Sequence, residues 1–353
     1  MEDVRVSVIV PLYNCAPYIE ECLGSLKAQT FGDFEVLCVD DCSTDDSLAG
    51  AKAAAADDPR FRFFKLEQNR GQSAARNVAL DHAHGTYIVL LDADDYFVPD
   101  ALEKLVARAD RQNLDDLYFS AQAFYESKEL FGLVREEYGN RPAFEEVATG
   151  KELFAYFEEH REFLPHAALR MVKRSLVEQH RIRFFEGIIH EDVLFTFQTL
   201  VHSQRSSYLN EPLYMRRIRA NSTMTAKRTI ANVRGHWVCV REMRKWVSAH
   251  AEELEDRFLR AASRRMVDYA LVAAHIWFEE VDEADKAAYL DELDPAEKLD
   301  FYTEVVYPGA ALRDLEDDIR TSRTYQVGNA LLGVPRRVRD HMRGEKAYRE
   351  ERG

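Results

Sequence analysis

The 353 residues are 46% hydrophobic and 31% charged, a composition typical of a folded globular protein and unlike that of fibrous or disordered chains. The formal net charge of −15 argues against a general nucleic-acid binder, because phosphate backbones require a basic protein surface. A chain of this length favours about two domains.

The cysteines and the termini bear on the compartment. The five cysteines form no CxxC pair and have no nearby histidine of the kind that marks a zinc site, so we expect free thiols in a reducing cytosol. The first residues lead into a strand without a signal segment, and no apolar run is long enough to cross a bilayer. These features predict a cytoplasmic protein.

Apolar strands alternate with helices over the first 110 residues. Strands are predicted at residues 6–10, 34–39, 61–66 and 88–91, with Pro11 ending the first. Helices are predicted at residues 18–26, 73–84 and 100–110. A further helix is predicted between the first two of these, with Ser43 or Thr44 as its capping residue. This order with short connections predicts an α/β fold, a mostly parallel sheet with flanking helices.

Each of these strands ends in polar residues. Tyr13 and Asn14 follow the first, Asp40 and Asp41 the second, Asn69 to Gly71 the third, and Asp92 to Asp95 the fourth. The carboxyl ends of parallel strands meet at one edge of a sheet, where open α/β sheets bind ligands. The pattern predicts a single site along that edge.

The fourth strand end, Asp92-Ala93-Asp94-Asp95, places three carboxylates within four positions. Such carboxylates repel one another unless a cation or solvent neutralises them, and oxygen ligands of this kind suit Mg²⁺ or Mn²⁺ held with substrate phosphates. An acidic turn that caps the next helix is the alternative. The absence of GxGxxG and GxxxxGK[ST] argues against dinucleotide and P-loop sites, whereas a phosphatase using a strand-end DxD is a competing hypothesis.

Four segments, taken together, resemble glycosyltransferase family 2 with its GT-A (Rossmann-like) fold. They are Val8 to Asn14, Val39 to Asp45, Asn69-Arg70-Gly71 with Ala75-Arg76-Asn77, and Leu91 to Asp95. Cys42 stands where the family usually has glycine, which we expect to alter the turn. The resemblance implies an inverting enzyme of the bacterial surface-polysaccharide type.

The resemblance also implies roles in donor binding. Pro11, Tyr13 and Asn14 would line the nucleotide pocket, Asp41 would accept the uracil N–H, and Asp40 would support that loop. Asn69, Gly71 and Arg76 would lie beside the base and phosphates, although Gly71 is also consistent with a simple turn and Arg76 with an exposed helix charge. Asp92 would contact the ribose with Ala93 beside it. Asp94, with Asp92 as second candidate, would bind Mn²⁺ or Mg²⁺, and Asp95 would help directly or through water.

The Glu191-Asp192 pair opens an apolar helix four residues after Gly187, matching the position of the family's general base. We assign Asp192 as the base that takes the acceptor hydroxyl proton, with Glu191 orienting the helix start or the acceptor. The alternative is that both carboxylates only complement the helix dipole.

The segment 214–223 resembles the part of the family that closes over the diphosphate. Arg217, Arg219 and Ser222 are candidate phosphate contacts, because guanidinium forks match phosphate oxygens. A strand with solvent-facing arginines is the alternative. The metal-ligating histidine that some relatives have here is absent, which leaves a third protein ligand unassigned.

We predict a catalytic domain at residues 1–225, with a nucleotide-binding half (1–115) and an acceptor-side half (116–225), and a helical region at 226–353. Residues 333–353 contain seven basic and four acidic residues, a net charge of +3 suited either to an anionic membrane surface or to a solvated tail. The expected reaction moves a sugar from a UDP-hexose or UDP-N-acetylhexosamine to a saccharide or lipid-linked acceptor hydroxyl. A homodimer and peripheral contact with the inner membrane face are further expectations. A catalytically silent subunit that binds a sugar nucleotide or a polysaccharide is the rival hypothesis of a different class.

Overall fold

A computed structural model describes residues 4–130, 144, 146–220 and 226–309. Ser222 and the basic segment 333–353 lie outside the described residues. Within them the chain forms a mixed α/β sheet with flanking helices, followed by a helical region. The predicted fold class is confirmed.

Eight strands and eleven helices are present in the described part of the chain. The strands are β1 Val6–Leu12, β2 Phe34–Asp40, β3 Phe61–Lys65, β4 Tyr87–Leu90, β5 Tyr96–Phe97, β6 Asp116–Tyr125, β7 Arg170–Lys173 and β8 Ser206–Ile218. The helices are α1 Ile19–Lys27, α2 Ser47–Ala55, α3 Gln72–His82, α4 Ala101–Gln112, α5 Gly150–His160, α6 Arg174–Gln179, α7 Glu191–His202, α8 Ile230–Ala249, α9 Asp256–Glu279, α10 Glu283–Glu292 and α11 Pro295–Phe301.

Two local predictions are wrong. β1 continues through Pro11 to Leu12. The residue before α2 is Asp46 rather than Ser43 or Thr44. Ser43 and Thr44 instead make their bonds to Asn14, whose side-chain oxygen accepts the Thr44 N–H at 2.9 Å.

The sheet is parallel in one half and mixed in the other. Its strand order is β3-β2-β1-β4-β7-β6-β8-β5. β3, β2, β1 and β4 run parallel, as the βα alternation predicts, whereas β7 is antiparallel to both β4 and β6. β8 lies parallel to β6 and antiparallel to β5.

The register brings the predicted strand ends to one edge. Leu12 at the end of β1 pairs with Asp40 at the end of β2, and Ile9 pairs with Leu90 at the end of β4. Asp40 also pairs with Lys65 at the end of β3. The polar residues that follow these four strands therefore lie along the same edge of the sheet, at the carboxyl ends of the strands.

The helical region packs against α7 and α5. α8 and α9 form a pair, with α8 against α7 and α9 against α5. Leu153, Phe154, Phe197, Val240 and others form an apolar cluster at this junction, separate from the core of the parallel sheet. No helix in the described ranges is both long and apolar enough to span a bilayer.

One ion pair lies in the interior of the mixed half. Arg170 on β7 and Asp116 on β6 are both fully buried; the Arg170 Nε donates to Asp116 Oδ1 at 3.2 Å, and a second bond joins Nη2 to Oδ2. The guanidinium also lies 4.5 Å from the centre of the Tyr118 ring. Removal of one partner would leave the other charge buried without compensation.

We therefore expect Arg170→Met to lower the free energy of unfolding by about 3–5 kcal/mol in urea titrations. The double variant Asp116→Leu/Arg170→Met should recover most of this loss, because no uncompensated charge is left inside. Glu178→Ala, which breaks the more exposed Arg174–Glu178 pair, is the control and should cost about 1 kcal/mol or less. A single-variant loss no greater than that of the control would contradict the prediction.

Candidate active site

The acidic turn after β4 presents its three carboxylates to different surroundings. The side chains of Asp92 and Asp94 are partly exposed, at 26% and 23%, whereas Asp95 is buried. The Asp95 backbone N–H donates to the carbonyl of Asp92 at 3.0 Å, which closes the turn. The turn therefore directs Asp92 and Asp94 to the solvent-accessible edge.

Asp95 attaches the turn to β8. Its Oδ2 accepts the Tyr214 hydroxyl at 2.6 Å, and its Oδ1 accepts the Arg217 backbone N–H at 2.7 Å. Burial first, and then the neighbouring Asp94 and Asp92 charges, raise the pKa of Asp95 well above its usual range. Each oxygen is thus engaged with β8, which supports a structural role for Asp95.

The predicted phosphate-contacting arginines lie against the same turn. The Arg217 Nε donates to the Asp94 carbonyl at 2.9 Å, and the Arg219 Nε donates to Asp94 Oδ2 at 2.7 Å. Both guanidinium groups lie over the Tyr18 ring, 5.0 and 5.3 Å from its centre. The alternative of solvent-facing arginines is therefore wrong, since both are held beside the candidate metal ligand.

Arg76 connects the acidic turn with the Glu191-Asp192 pair. Its Nη2 donates to Asp92 Oδ1 at 2.8 Å, and its Nη1 donates to Glu191 Oε1 at 2.7 Å. The alternative of an exposed helix charge is wrong, because only 4% of Arg76 is exposed. Burial disfavours ionisation of Asp92, but the Arg76 charge, with smaller effects from His166 and Arg216, holds its pKa below the usual value.

Glu191 and Asp192 differ in their exposure and in their hydrogen-bond partners. Glu191 is buried and also accepts the Gln72 amide at 2.6 Å, so it orients the start of α7 against α3. Asp192 is partly exposed, and within the described ranges its carboxylate bonds to no other side chain. Burial, followed by the charge of Glu191, raises the pKa of Asp192 to about 8. Asp192 is therefore a carboxylate without a side-chain partner in the described ranges, and its raised pKa suits a general base near neutral pH.

The predicted nucleotide pocket is assembled around Asp41. Its two oxygens accept the backbone N–H groups of Arg70 and Gly71, each at 2.7 Å. Asp41 therefore holds the β3–α3 loop. Each of its oxygens has a second lone pair, which could accept an N–H of a nucleotide base. Gly71 has φ of +84°, a conformation that favours glycine, so it shapes this loop as a turn residue.

The other predicted pocket residues lie around this loop. Tyr13 is 50% exposed and its ring is available for packing, while Asn69 is exposed. Asp40 is buried, with its Oδ1 accepting the Ser43 N–H at 3.3 Å. Cys42 has φ of +59°, which explains why glycine is the usual residue there. Pro11 lies within β1, and Ala93 is buried in the acidic turn.

The loop before α7 is bonded to α3. Asn77 donates to the Phe184 carbonyl at 2.9 Å and accepts the Phe184 N–H at 2.8 Å. Ser73 donates to the Phe185 carbonyl at 3.0 Å, and Arg70 pairs with Glu186 at 2.6 Å. The sequence predicted no role for Asn77, although its place beside Arg76 on α3 was a usable signal. Tyr214 lies in the segment 214–223, but only Arg217, Arg219 and Ser222 of that segment were predicted to contact a ligand. Gln72 carried no such signal.

The donor set at the turn suits a divalent ion that is completed by substrate. The described residues include no cluster of three or more His, Cys, Asp or Glu that could enclose a metal. Mg²⁺ and Mn²⁺ are commonly held by one or two carboxylates together with substrate phosphates and water. Asp94, whose Oδ1 takes no bond within the described ranges, and Asp92 fit that arrangement.

Solved structures identify the class of fold. The S. aureus TarS 1-349 crystal structure in complex with UDP-GlcNAc is 23% identical, with a TM-score of 0.60 over 85% of this chain and 79% of that chain. The mannosyltransferase PcManGT from Pyrobaculum calidifontis, in complex with GDP-Man and Mn²⁺, is 19% identical, with a TM-score of 0.53 over 94% of this chain and 84% of that chain. The fold is the GT-A fold of glycosyltransferases.

Sequence comparison relates part of the chain to a known family. Residues 7–181 match the family model described as Glycosyl transferase family 2. Glycosyltransferase GlyA of Streptococcus pneumoniae serotype 4 is 31% identical over 226 residues, which is 62% of this chain and 31% of GlyA. Three further relatives are matched over 60 to 63% of their lengths, so this chain spans less than two thirds of each. Over residues 7–181, slightly less than half of its length, the chain is therefore similar to family 2 glycosyltransferases.

The Arg76 bridge generates a stability prediction. We expect Arg76→Met to lower the free energy of unfolding by about 3–5 kcal/mol at pH 9, because it leaves Glu191 charged and buried without a cation. The loss should be smaller at pH 5. Without Arg76 the folded-state pKa of Glu191 rises further above its unfolded value, so the folded state binds more protons and stability falls as pH rises.

Urea unfolding at the two pH values measures this difference. Arg183→Met, which breaks an exposed pair with Asp81, is the control and should cost about 1 kcal/mol or less at both. Equal losses of unfolding free energy for Arg76→Met and for the control would contradict this prediction.

Proposed function

We propose that this protein is a metal-dependent, inverting glycosyltransferase, and that it moves a hexose or N-acetylhexosamine from a UDP-sugar to a hydroxyl of a saccharide or lipid-linked acceptor. The observation that carries the proposal is the position of the Asp192 carboxylate, which has no side-chain partner within the described ranges. Its pKa is raised to about 8, and the neighbouring Glu191 is joined through Arg76 to the acidic turn. A fold-related structure with UDP-GlcNAc bound supports the choice of donor class.

The donor would bind along the strand ends. The exposed Tyr13 ring would pack against the base, and Asp41 would receive the base N–H with the lone pairs left over from Arg70 and Gly71. Asp92, ordered by Arg76, would contact the ribose. Arg219 and Arg217 lie beside Asp94 and would face the diphosphate.

Asp94, with Asp92, would hold the Mn²⁺ or Mg²⁺ ion, which when bound neutralises charge on the diphosphate. The fold-related mannosyltransferase that binds GDP-Man and Mn²⁺ supports this choice of ion. In the structure Arg219 compensates the Asp94 charge, and in our proposal its guanidinium would bond to phosphate oxygens of the donor when Asp94 holds the ion.

Asp192 would act as the general base in a single displacement. Its carboxylate takes the acceptor hydroxyl proton while that oxygen forms a bond to the anomeric carbon and the bond from this carbon to the diphosphate oxygen breaks. Attack from the face opposite the leaving group inverts the configuration. Glu191, held by Arg76 and Gln72, keeps the first turn of α7 in place and takes no proton in this scheme.

The phosphatase alternative would make Asp92 the nucleophile. In the structure its Oδ1 already accepts the Arg76 guanidinium at 2.8 Å, so this oxygen would have to leave that bond or the other oxygen would have to attack. Trapping of phosphate on Asp92 would establish that alternative. Three further expectations stay predictions. They are the identity of the acceptor, the homodimer, and a cytoplasmic location with peripheral membrane contact through residues 333–353.

The metal role predicts that UDP binds more tightly in Mn²⁺ or Mg²⁺ and that Asp94→Ala abolishes this enhancement. Calorimetry with UDP, in the presence of Mn²⁺ or of a chelator, measures it without any turnover. Asp81→Ala removes a carboxylate that is 58% exposed and should bind as the unmodified chain does. Equal UDP affinity in chelator and in Mn²⁺ for the unmodified chain would rule the metal role out.

The base role predicts that Asp192→Asn keeps UDP affinity and lowers kcat by about 10²- to 10⁴-fold. In the unmodified chain kcat/KM should fall about tenfold per unit as pH drops below about 8, because the protonated carboxyl cannot accept a proton. Release of UDP from pooled UDP-sugars across pH measures both effects. Turnover retained in Asp192→Asn, beside an unchanged Asp268→Asn control on α9, would exclude Asp192 as the base.

A further inference from the structure

Three aromatic rings connect the start of α7 with the helical region. The His190 ring, directly before α7, stacks on His236 of α8 with centroids 4.1 Å apart and planes at 21°. His236 in turn stacks on Tyr269 of α9, at 5.6 Å and 27°. We refer to His190, His236 and Tyr269 as the ring column. It lies behind the carboxylate pair that opens α7.

The backbone at the same position is held by α8. His190 has φ of +70°, a left-handed conformation that a non-glycine residue keeps only where its surroundings enforce it. A Cβ on Gly235 would collide with the Ile189 carbonyl oxygen, so the two backbones are in close approach. One turn further along α8, the Cys239 thiol donates to the His190 carbonyl at 3.5 Å.

The rings are suited to stacking because they are neutral. Burial lowers the pKa of His190 to about 4, and burial together with the His190 charge lowers that of His236 to about 3. Two imidazolium rings at this separation would repel one another. At neutral pH the pair is therefore an uncharged stacked contact, and it does not titrate in the range of the proposed reaction.

The column lies within electrostatic reach of the proposed base. The carboxylate of Asp192 raises the pKa values of both Cys239 and Tyr269, in each case after burial, which is the larger cause. The site residues also affect the pKa of Asp192: the charges of Glu191 and Asp92 raise it, and the charge of Arg76 lowers it. Asp192 thus has charged neighbours on one side and the buried face of α8 and α9 on the other.

We propose that the ring column is a positioning device that holds the first turn of α7, so that Asp192 keeps its orientation and its partly desolvated surroundings. This inference rests on the proposed function for the role of Asp192. His236 and Tyr269 contact no reacting atom in it. They act through His190 and the backbone of α7, and they give the helical region a part in the reaction.

His236→Ala, His236→Phe and Trp237→Leu in the full 353-residue chain test the proposal. The alanine variant removes the middle ring, while phenylalanine keeps a flat ring without the imidazole nitrogens. Trp237 is the matched control, because it neighbours His236 on α8 but packs into a different cluster with Phe301. Thermal unfolding establishes that each variant is folded at the assay temperature.

Turnover is measured as release of UDP from UDP-N-acetylglucosamine in Mn²⁺. We expect His236→Ala to lower kcat by about 10- to 100-fold, as a small misplacement of a catalytic group does, with the donor KM changed by less than about twofold. The acid limb of the pH–rate profile of His236→Ala should also move to lower pH. Water entering the void left by the ring would reduce the burial that raises the pKa of Asp192. His236→Phe should restore kcat, and Trp237→Leu should leave it unchanged.

Hydrogen–deuterium exchange of the peptide covering residues 190–195 gives a readout that needs no turnover. Exchange there should rise in His236→Ala and stay unchanged in His236→Phe and Trp237→Leu. If His236→Ala does not fold, Gly235→Ala should produce the same exchange and kcat changes by displacing Ile189. An equal response to His236→Ala and Trp237→Leu, or no change in residues 190–195, would overturn the proposal. Absence of turnover in the unmodified chain would refute the donor assignment alone, since the exchange result stands independently.

Discussion

The buried guanidinium of Arg76 is the interaction on which the geometry of the site depends. A cation that is 4% exposed is stable only beside opposite charge, so Arg76 requires both Asp92 and Glu191 within hydrogen-bond distance. These two residues belong to the turn after β4 and to the first turn of α7. Because the guanidinium is planar and always charged, it holds the donor side and the base side of the site at a defined separation and orientation.

The site uses several carboxylates of similar chemistry and separates them by environment. Asp95 is buried, takes a bond on each oxygen and attaches the turn to β8. Asp92 is held ionised by Arg76, and Asp94 keeps one oxygen unengaged within the described ranges. Asp192 has a raised pKa because it is partly desolvated beside Glu191. Burial and neighbouring charges thus assign different tasks to the same side-chain type. The helices after residue 230 contribute to this environment, since α8 packs directly behind the start of α7.

Much of this arrangement was predictable from local sequence. Mostly apolar runs followed by Tyr13, Asp41, Gly71 or Asp94 indicated parallel strands that end in polar residues. The helical region predicted after residue 226 begins with α8, Ile230–Ala249. The capping residue of α2 and the end of β1 were predicted wrongly, because Ser43 and Thr44 bond to Asn14 and because Pro11 lies within the strand. In these places a contact from a distant part of the chain overrode the local preference.

The sequence by itself determined the chemistry that is available: the four strand ends, the acidic turn and the carboxylate pair at the start of an apolar helix. These features follow from residue type and periodicity, which act over a few positions. Only the tertiary structure decided which groups meet. Arg76 bonds to Glu191 across 115 positions, Asp95 bonds to Tyr214 across 119, and His190 stacks on His236 from another helix. Such pairings depend on how the sheet and helices pack, because hydrogen bonds and stacked rings form only between groups that the whole fold brings within a few ångströms.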